Sequence, residues 1–97
     1  MKLKWDEAKN RSNIRKHGLD FQDVEEMFRG NVVAELDTRE DYGEDRWIAF
    51  GMIGGRVTHA VFIELDPDTI RIISLRKATQ RESKHYQEAI QDRLEES

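Results

Sequence analysis

Apolar residues concentrate in three stretches of the second half of the chain, and these stretches predict three β-strands. They are Arg46–Ile53, Arg56–Leu65 and Ile70–Arg76, and all three are rich in valine and isoleucine. Gly54–Gly55 lies between the first two and is the kind of residue pair that makes a tight hairpin turn. Asp66–Pro67–Asp68 is a turn before the third strand. The short connections favour antiparallel neighbours, and these strands are expected at the centre of the sheet.

Two other segments predict strands outside this centre. Lys2–Trp5 is short and is expected at an edge of the sheet. Asn31–Asp37 contains Val32, Val33 and Leu36 and predicts a further strand. Thr38–Asp45, which follows it, is polar and acidic and is expected to be a mobile loop.

Capping residues predict where the helices begin and end. Asp6 is a typical N-cap, and the helix after it can run to His17, where Gly18 supplies a left-handed stop. This helix has few apolar residues, so we expect it to lie half exposed. Asp20 caps a second helix, which has one apolar face and ends at Gly30.

A third helix is predicted near the end of the sequence. Thr79 and Glu82 form a capping box, which opens a helix from about Gln80 to Arg93. The order of elements therefore predicts an α+β fold. We expect one domain over residues 1–97, an antiparallel β-sheet with two N-terminal helices and one C-terminal helix packed on it.

Composition limits the possible chemistry. The 97 residues contain no cysteine, which excludes disulfide scaffolds, thiol catalysis and cysteine-based zinc sites. The longest apolar stretch is too short to span a bilayer, and nothing after Met1 resembles a signal peptide, so a cytoplasmic protein without membrane contact is expected. The three histidines lie far apart and no glycine-rich phosphate loop is present, so we predict neither a metal site nor a cofactor.

The net charge of −4 hides an uneven distribution. Residues 1–18 carry six basic side chains against two acidic ones, whereas residues 19–45 carry two against ten. Residues 71–84 are basic again, with five Lys or Arg side chains against one Glu. This pattern permits either a local site for a polyanion or an acidic surface for a basic partner.

Arginines and histidines are the candidate functional groups. Arg46 and Arg76 lie at the ends of predicted strands, where the guanidinium of each could simply extend into water. Alternatively, the two could form a phosphate-binding cluster together with Arg81. His17 could be a cation at a helix C-terminus or a functional residue. His59 is expected in the core and His85 on the solvent side of the last helix, both without a functional role.

Three motifs resemble the BrnT toxin family, over roughly residues 3–86. The opening motif is Trp5-Asp6, Lys9, Asn13 and Lys16-His17-Gly18, followed by Phe21 and Phe28. The middle motif is Tyr42-Gly43-Glu44, Arg46 and Gly51. The closing motif is Arg71-Ile72-Ile73-Ser74, Arg76, Ala78, Arg81-Glu82 and Tyr86. Glu64 and Leu75 depart from this pattern, where a small polar residue and alanine are common.

The resemblance implies a type II toxin with a RelE-like fold and a ribonuclease activity that blocks translation. It also implies a BrnA-like antitoxin of the ribbon-helix-helix type, which binds operator DNA on behalf of the complex. The RNA substrate is either free or on ribosomes. Cleavage of RNA without metal requires activation of the 2′-hydroxyl, charge relief at phosphorus and protonation of the leaving oxygen.

Roles can be assigned under this resemblance. Arg46 and Arg76 are candidates for stabilising phosphate, and Lys16 and His17 for proton transfer or backbone binding. Tyr86 is a candidate for base stacking or proton transfer. Alternatively, Tyr86 has a structural role and fills the hydrophobic core under the last helix. The further residues expected to bind RNA are Lys9, Asn13 and Arg81. A non-catalytic interaction module, acting with a DNA-binding partner as a co-repressor, is the alternative function.

Strand alternation separates two of the arginines. In a regular strand Ile70–Arg76, Arg71 and Arg76 point to opposite faces, so a compact phosphate site is expected to use only one. Arg76 is preferred because it precedes the helix that Thr79 opens. Arg71 is expected to pair with the acidic residues of the Asp66–Asp68 turn.

Overall fold

A computed structural model describes residues 1–96 and contains a five-stranded sheet with three α-helices. The elements, in chain order, are β1 (Lys2–Lys4), α1 (Glu7–His17), a 3₁₀ turn (Phe21–Asp23), α2 (Val24–Arg29), β2 (Val33–Leu36), β3 (Trp47–Ile53), β4 (Arg56–Asp66), β5 (Thr69–Lys77) and α3 (Gln80–Glu96). The strands lie in the order β1-β5-β4-β3-β2. The α+β class predicted from the sequence is confirmed.

The expectation of an antiparallel sheet is wrong for one pair of strands. β1 pairs with β5 in parallel, with Leu3 opposite Ile70, whereas the other three pairs are antiparallel. The sequence favoured antiparallel pairing because β2 to β5 follow one another through loops and turns without intervening helices. β1 reaches its place at the edge from the start of the chain, and no turn between neighbours fixes its direction.

Capping residues mark the starts of the helices and the end of α1 as predicted, whereas α3 continues to Glu96, beyond the predicted end at Arg93. The Asp6 carboxylate accepts the backbone N–H of Lys9 at 3.0 Å, and Gly18 takes the left-handed conformation with φ 68°. Asp20 caps the 3₁₀ turn that leads into α2, so the second predicted helix begins as a tighter turn. Thr79 and Glu82 exchange both hydrogen bonds of the capping box at the start of α3.

The two faces of the sheet bury separate apolar clusters. The first face is covered by the 3₁₀ turn and α2, and its core includes Phe21, Met27, Ile72 and Leu75. The second face is covered by α3, and its core contains Ile48, Phe50, Val57, Val61 and Tyr86. Helix α1 buries no apolar residue and instead lies along β5 at the sheet edge beyond the end of β1.

Close packing accounts for a glycine on β3. A Cβ atom added to Gly51 would lie 2.4 Å from Cγ of Met27, whose side chain is fully buried. Helix α2 therefore approaches β3 at a distance that only glycine permits.

Candidate functional site

Two asparagines fix helix α1 to the rest of the protein. Asn13 Nδ2 donates to the carbonyl oxygens of Leu75 at 2.8 Å and Leu19 at 3.0 Å, and the Leu75 N–H donates to Asn13 Oδ1 at 3.2 Å. Asn10 accepts the N–H of Phe21 and donates to Asp20. Both amides are buried, so polar side chains hold this helix where apolar ones are missing.

A cavity of about 240 Å³ lies between α1 and β5. Its lining residues are Lys9, Ser12, Asn13, Lys16, His17, Ile73 and Ser74. Four of the eight side chains selected from the sequence, Lys9, Asn13, Lys16 and His17, thus meet at one place. They do so because their spacing along α1 places them on the side of the helix that faces the strand.

The prediction that Arg71 and Arg76 point to opposite faces is wrong. Ile70, Ile72 and Leu75 all lie in the core of the first face. Regular alternation would leave one residue between successive members of this set, but two residues lie between Ile72 and Leu75. The pairing with β4 skips Ile73, which marks a β-bulge. Both arginines therefore point to the second face. Arg71 forms no ion pair with the Asp66–Asp68 turn, where Asp68 pairs with the N-terminal amine at 3.6 Å.

Arg76 is held in a planar double hydrogen bond with Glu82 on α3. Its Nη1 and Nη2 donate to the two carboxylate oxygens at 2.8 Å and 3.0 Å, and Nη1 also donates to the Lys77 carbonyl at 3.1 Å. This pairing lowers the pKa of Glu82 to about 2. The Nε–H and one N–H of Nη2 have no partner among the described residues, and the side chain is 33% exposed.

Arg46 belongs to a different local network, in the loop before β3. Its guanidinium lies 4.2 Å from the centre of the Tyr42 ring and 3.7 Å from Glu44. The Tyr42 hydroxyl donates to the buried carboxylate of Asp37, which also accepts three hydrogen bonds from Arg39. The Arg39 guanidinium holds the pKa of Asp37 well below its usual range. The acidic loop therefore has a defined internal structure that positions Arg46.

Tyr86 and Arg81 lie apart from the cavity. Tyr86 is buried in the second core, and its hydroxyl donates to the carbonyl of Asn31 at 2.8 Å. It therefore connects α3 to the start of β2, which is the core role that the sequence offered as its alternative. Arg81 is exposed in the first turn of α3, beside Glu82.

Sequence reasoning missed a group of aromatic and titratable side chains beside Arg76. His59 lies opposite Arg76 in the β4–β5 ladder and packs edge-to-face against Phe50, with ring centres 5.3 Å apart. The exposed ring of His85 lies 6.3 Å from the same Phe50 ring. The apolar pattern of β4 correctly predicted a buried His59. Only the register between β4 and β5 places this histidine beside an arginine.

The environment of His59 is unusual for a core residue. The residue is 5% exposed, and its Nδ1 atom is buried with no hydrogen-bond partner among the described residues. Burial lowers the pKa of His59, and the positive charge of Arg76 lowers it further. His59 is therefore held as neutral imidazole beneath the Arg76–Glu82 pair.

Helix α3 leaves the part of the second face next to α1 uncovered. It begins after β5, where Glu82 binds Arg76, and reaches the start of β2, where Tyr86 binds Asn31. We call the open space between the two helices the α1–α3 groove. It extends from the cavity, where Lys9, Lys16, His17 and Ser74 lie, to Arg76 on β5 and to Glu82 and His85 on α3, which lie outside the cavity lining. Most of its charged side chains are basic.

Two other features are absent from the described residues, a metal-binding cluster and a membrane-spanning helix. Residues 1–96 contain no group of three or more His, Asp or Glu side chains placed to hold a metal ion. No helix in that range is long and apolar enough to cross a membrane.

Comparisons with known proteins agree on one family. A sequence profile described as "Ribonuclease toxin, BrnT, of type II toxin-antitoxin system" matches residues 5–82. The chain is also similar to the Brucella abortus ribonuclease toxin BrnT, whose crystal structure was solved at 1.1 Å resolution. The two share 35% sequence identity and a TM-score of 0.64, over 82% of this chain and 99% of the Brucella chain. No curated protein matches the sequence.

Proposed function

Because the chain belongs to the BrnT family of ribonuclease toxins of type II toxin–antitoxin systems, we propose that it cuts RNA in the α1–α3 groove. In this proposal the chain acts as a single domain with a RelE-like fold and needs no metal ion. Cleavage of RNA then blocks translation, and a BrnA-like antitoxin of the ribbon-helix-helix type neutralises the toxin and binds operator DNA.

The convergence of cationic side chains on one groove carries this proposal. Lys9, Lys16 and His17 line the cavity beside Ser74, on the face of the sheet to which Arg76 points. An RNA backbone carries one negative charge per nucleotide, and cationic side chains release its counterions. A groove that gathers them on a chain of net charge −4 is a specific local feature.

Arg76 is the proposed phosphate ligand at the cleavage point. Its remaining N–H groups lie on a guanidinium whose orientation is fixed by Glu82, so little further ordering is required when a phosphate binds. Stabilisation of the charge that develops on the phosphorane is the largest contribution that such a group makes. Lys16 and His17 then serve in backbone binding or proton transfer from the α1 side.

Arg46 binds a different phosphate in this proposal. It precedes Phe50 by four residues, and Phe50 shares a row with His59 and Arg76 across three strands. The two arginines are therefore separated by roughly 13 Å along the strand direction, in addition to the width of two strand spacings. Tyr42 and Glu44 hold the Arg46 guanidinium and Glu82 holds that of Arg76, so each is assigned to its own phosphate. Arg46, Lys9 and Arg81 are assigned to binding of the flanking RNA and Tyr86 to holding α3. Asn13, which the sequence suggested for RNA binding, is instead assigned to holding α1, because its buried amide is fully bonded to Leu19 and Leu75.

Incubation of RNA with the purified protein in excess chelator tests the proposed function. Total RNA should be cut by the wild type when it is offered either free or on ribosomes, and Lys16→Ala should reduce the rate on the form that is cut. Arg11→Ala is the matched control, because Arg11 is an exposed cation on the same helix that does not line the cavity. RNA that stays intact in chelator and is cut on addition of magnesium would contradict the metal-free mechanism. RNA left intact under every condition would favour the non-catalytic module.

A further inference from the structure

The cluster of Phe50, His59, Arg76, Glu82 and His85 contains proton-transfer groups to which no role has been given so far. Three of these side chains form one row across β3, β4 and β5, since Phe50 is opposite His59 and His59 is opposite Arg76. Glu82 and His85 reach this row from α3, through hydrogen bonds to Arg76 and ring contact with Phe50.

His85 lies on the groove side of α3. Tyr86 points towards the sheet, where it is buried, and this fixes the rotation of the helix. Successive residues of an α-helix are rotated by about 100° about its axis. Viewed along α3, Glu82 and His85 are therefore both displaced to the same side of Tyr86, and an angle of about 60° separates them. Since Glu82 contacts Arg76 on β5, the side of α3 that carries Glu82 and His85 borders the groove. The imidazole of His85 is exposed there.

Few groups beside Arg76 can give a proton to a leaving group. Glu82 is ionised at neutral pH, since its pKa is about 2, and its oxygens already accept hydrogen bonds from Arg76 and Thr79. His59 is buried and has a lowered pKa, so it is neutral and has little access to substrate. The Tyr86 hydroxyl is bonded to Asn31. His85 is the exposed titratable group that remains on this side.

We propose that His85 is the general acid that protonates the 5′-oxygen leaving group during RNA cleavage. This inference rests on the proposed ribonuclease function. Its position is complementary to that of His17. His17 lies on α1, beside β5, and His85 lies on α3 against Phe50 of β3, so in the order of the strands the two histidines lie on opposite sides of the row that holds Arg76 and His59. An in-line displacement at phosphorus requires such an arrangement, since the nucleophile enters on the side opposite to the leaving oxygen.

The reaction balances with these groups alone. The 2′-oxygen forms a bond to phosphorus, and its proton passes to a base on the α1 side, for which His17 is the candidate. The bond between phosphorus and the 5′-oxygen breaks, and that oxygen takes the proton of the His85 imidazolium. The products are a 2′,3′-cyclic phosphate and a free 5′-hydroxyl. His85 ends neutral, and exchange with solvent restores the starting protonation of both histidines.

A substrate with a better leaving group tests this role directly. After the cleavage site has been mapped on a long transcript, two short RNAs that contain it are compared, one natural and one with sulfur in place of the bridging 5′-oxygen. A thiolate leaves without protonation, so a variant that lacks only the acid should cut the sulfur substrate at nearly the wild-type rate. On natural RNA, His85→Ala is expected to be slower by roughly 100-fold to 10,000-fold.

Controls separate catalysis from folding and from the proposed function itself. Glu88→Ala alters an exposed residue on the same helix and should cut both RNAs at the wild-type rate. Circular dichroism should give the same melting temperature for His85→Ala as for the wild type. Equal loss of activity on both substrates, or no loss on natural RNA, would overturn the assignment of His85. If the wild type cuts no RNA at all, the ribonuclease proposal fails first and the assignment of His85 fails with it.

Discussion

Asn13 and Leu75 form a reciprocal pair in which a side-chain amide binds both backbone groups of a strand residue. The amide nitrogen donates to the Leu75 carbonyl at 2.8 Å, and the Leu75 N–H donates to the amide oxygen at 3.2 Å. Asn13 therefore occupies the hydrogen-bonding position that a neighbouring strand would take, at the point of β5 that β1 does not reach. This contact places the cationic side of α1 beside the floor of the groove.

Loss of the Asn13 amide should destabilise the protein strongly. Asn13→Ala leaves the buried N–H and carbonyl of Leu75 without that partner, and each such group costs about 1–3 kcal/mol. We expect the free energy of unfolding to fall by about 2–4 kcal/mol in urea titrations. Arg11→Ala on the exposed side of α1 should change it by less than about 0.5 kcal/mol. Equal stability of Asn13→Ala and the wild type would contradict the structural role of this pair.

Arg76 and Arg71 should differ in their effect on catalysis although they share a face. Arg76→Ala is expected to reduce the cleavage rate at saturating RNA, because it removes the proposed ligand of the reacting phosphate. Arg71→Ala should weaken RNA binding and make it less sensitive to salt, with little change in the saturated rate. Single-turnover kinetics over a range of salt concentrations distinguish the two effects. Equal loss of the saturated rate in both variants, with unchanged melting temperatures, would refute the distinction.

Acid should destabilise the fold in two successive steps, the first from His59 and the second from Glu82 together with Asp37, whose pKa is also held well below its usual range. The pKa of His59 is lowered below 6.5, so its contribution to stability is complete above pH 6.5 and decreases as the pH falls below that value. The pKa of Glu82 is lowered from 4.5 to about 2, so its contribution is complete above pH 4.5 and is lost as the pH falls towards 2.

Melting temperatures measured from about pH 8 to about pH 3 would show these steps. His59→Phe should remove the upper step, because the apolar ring has no proton to gain beside Arg76. His85→Gln, which changes an exposed histidine, should leave that step in place. An upper step that persists in His59→Phe would show that another group titrates there.

The antitoxin is expected to cover the groove. A partner that inhibits by blocking RNA should slow amide exchange around Lys16, His17 and Arg76 and should protect Arg46 as well. Association should be fast and salt-sensitive, because charged groups meet at the interface. Hydrogen exchange of the complex measures this pattern. Protection confined to the acidic loop Thr38–Asp45 would exclude direct blocking of the site.

Gly51→Ala should destabilise the packing of α2 on β3. The added methyl group would lie 2.4 Å from Cγ of Met27, which is fully buried and cannot move into solvent. Overpacking of this kind costs about 1–3 kcal/mol. The double variant with Met27→Ala should show a favourable coupling energy in a double-mutant cycle, because the smaller side chain accommodates the methyl group. Additive effects would mean that the two positions do not compete for space.

Local signals predicted much of the fold correctly. The ends of α1, the capping box of α3 and the Gly54–Gly55 turn depend on residues close together in the sequence, and all three are present. The bulge at Ile73 was not predicted, because a single inserted residue leaves the apolar pattern of the strand almost unchanged. It nevertheless reverses which face the following residues occupy.

The candidate site was predicted only where it lies on one element. Lys9, Asn13, Lys16 and His17 were selected through the resemblance to the BrnT family, and helical spacing brings them to one side of α1. The position of His59 beside Arg76 depends on strand register, which sequence spacing does not specify. Arg46 and Arg76 were combined because both are arginines at strand ends, but they lie in different rows of the sheet.

Helix α1 is attached to the sheet by hydrogen bonds, and its buried side chains are Asn10 and Asn13. Detachment of this helix would therefore expose little apolar surface, and the sensitivity of a transition to denaturant scales with the surface exposed. We therefore expect the basic wall of the groove to open as a subglobal unit while both apolar cores remain intact. Assembly of the site would then be an equilibrium separate from folding of the sheet, with its own small dependence on urea.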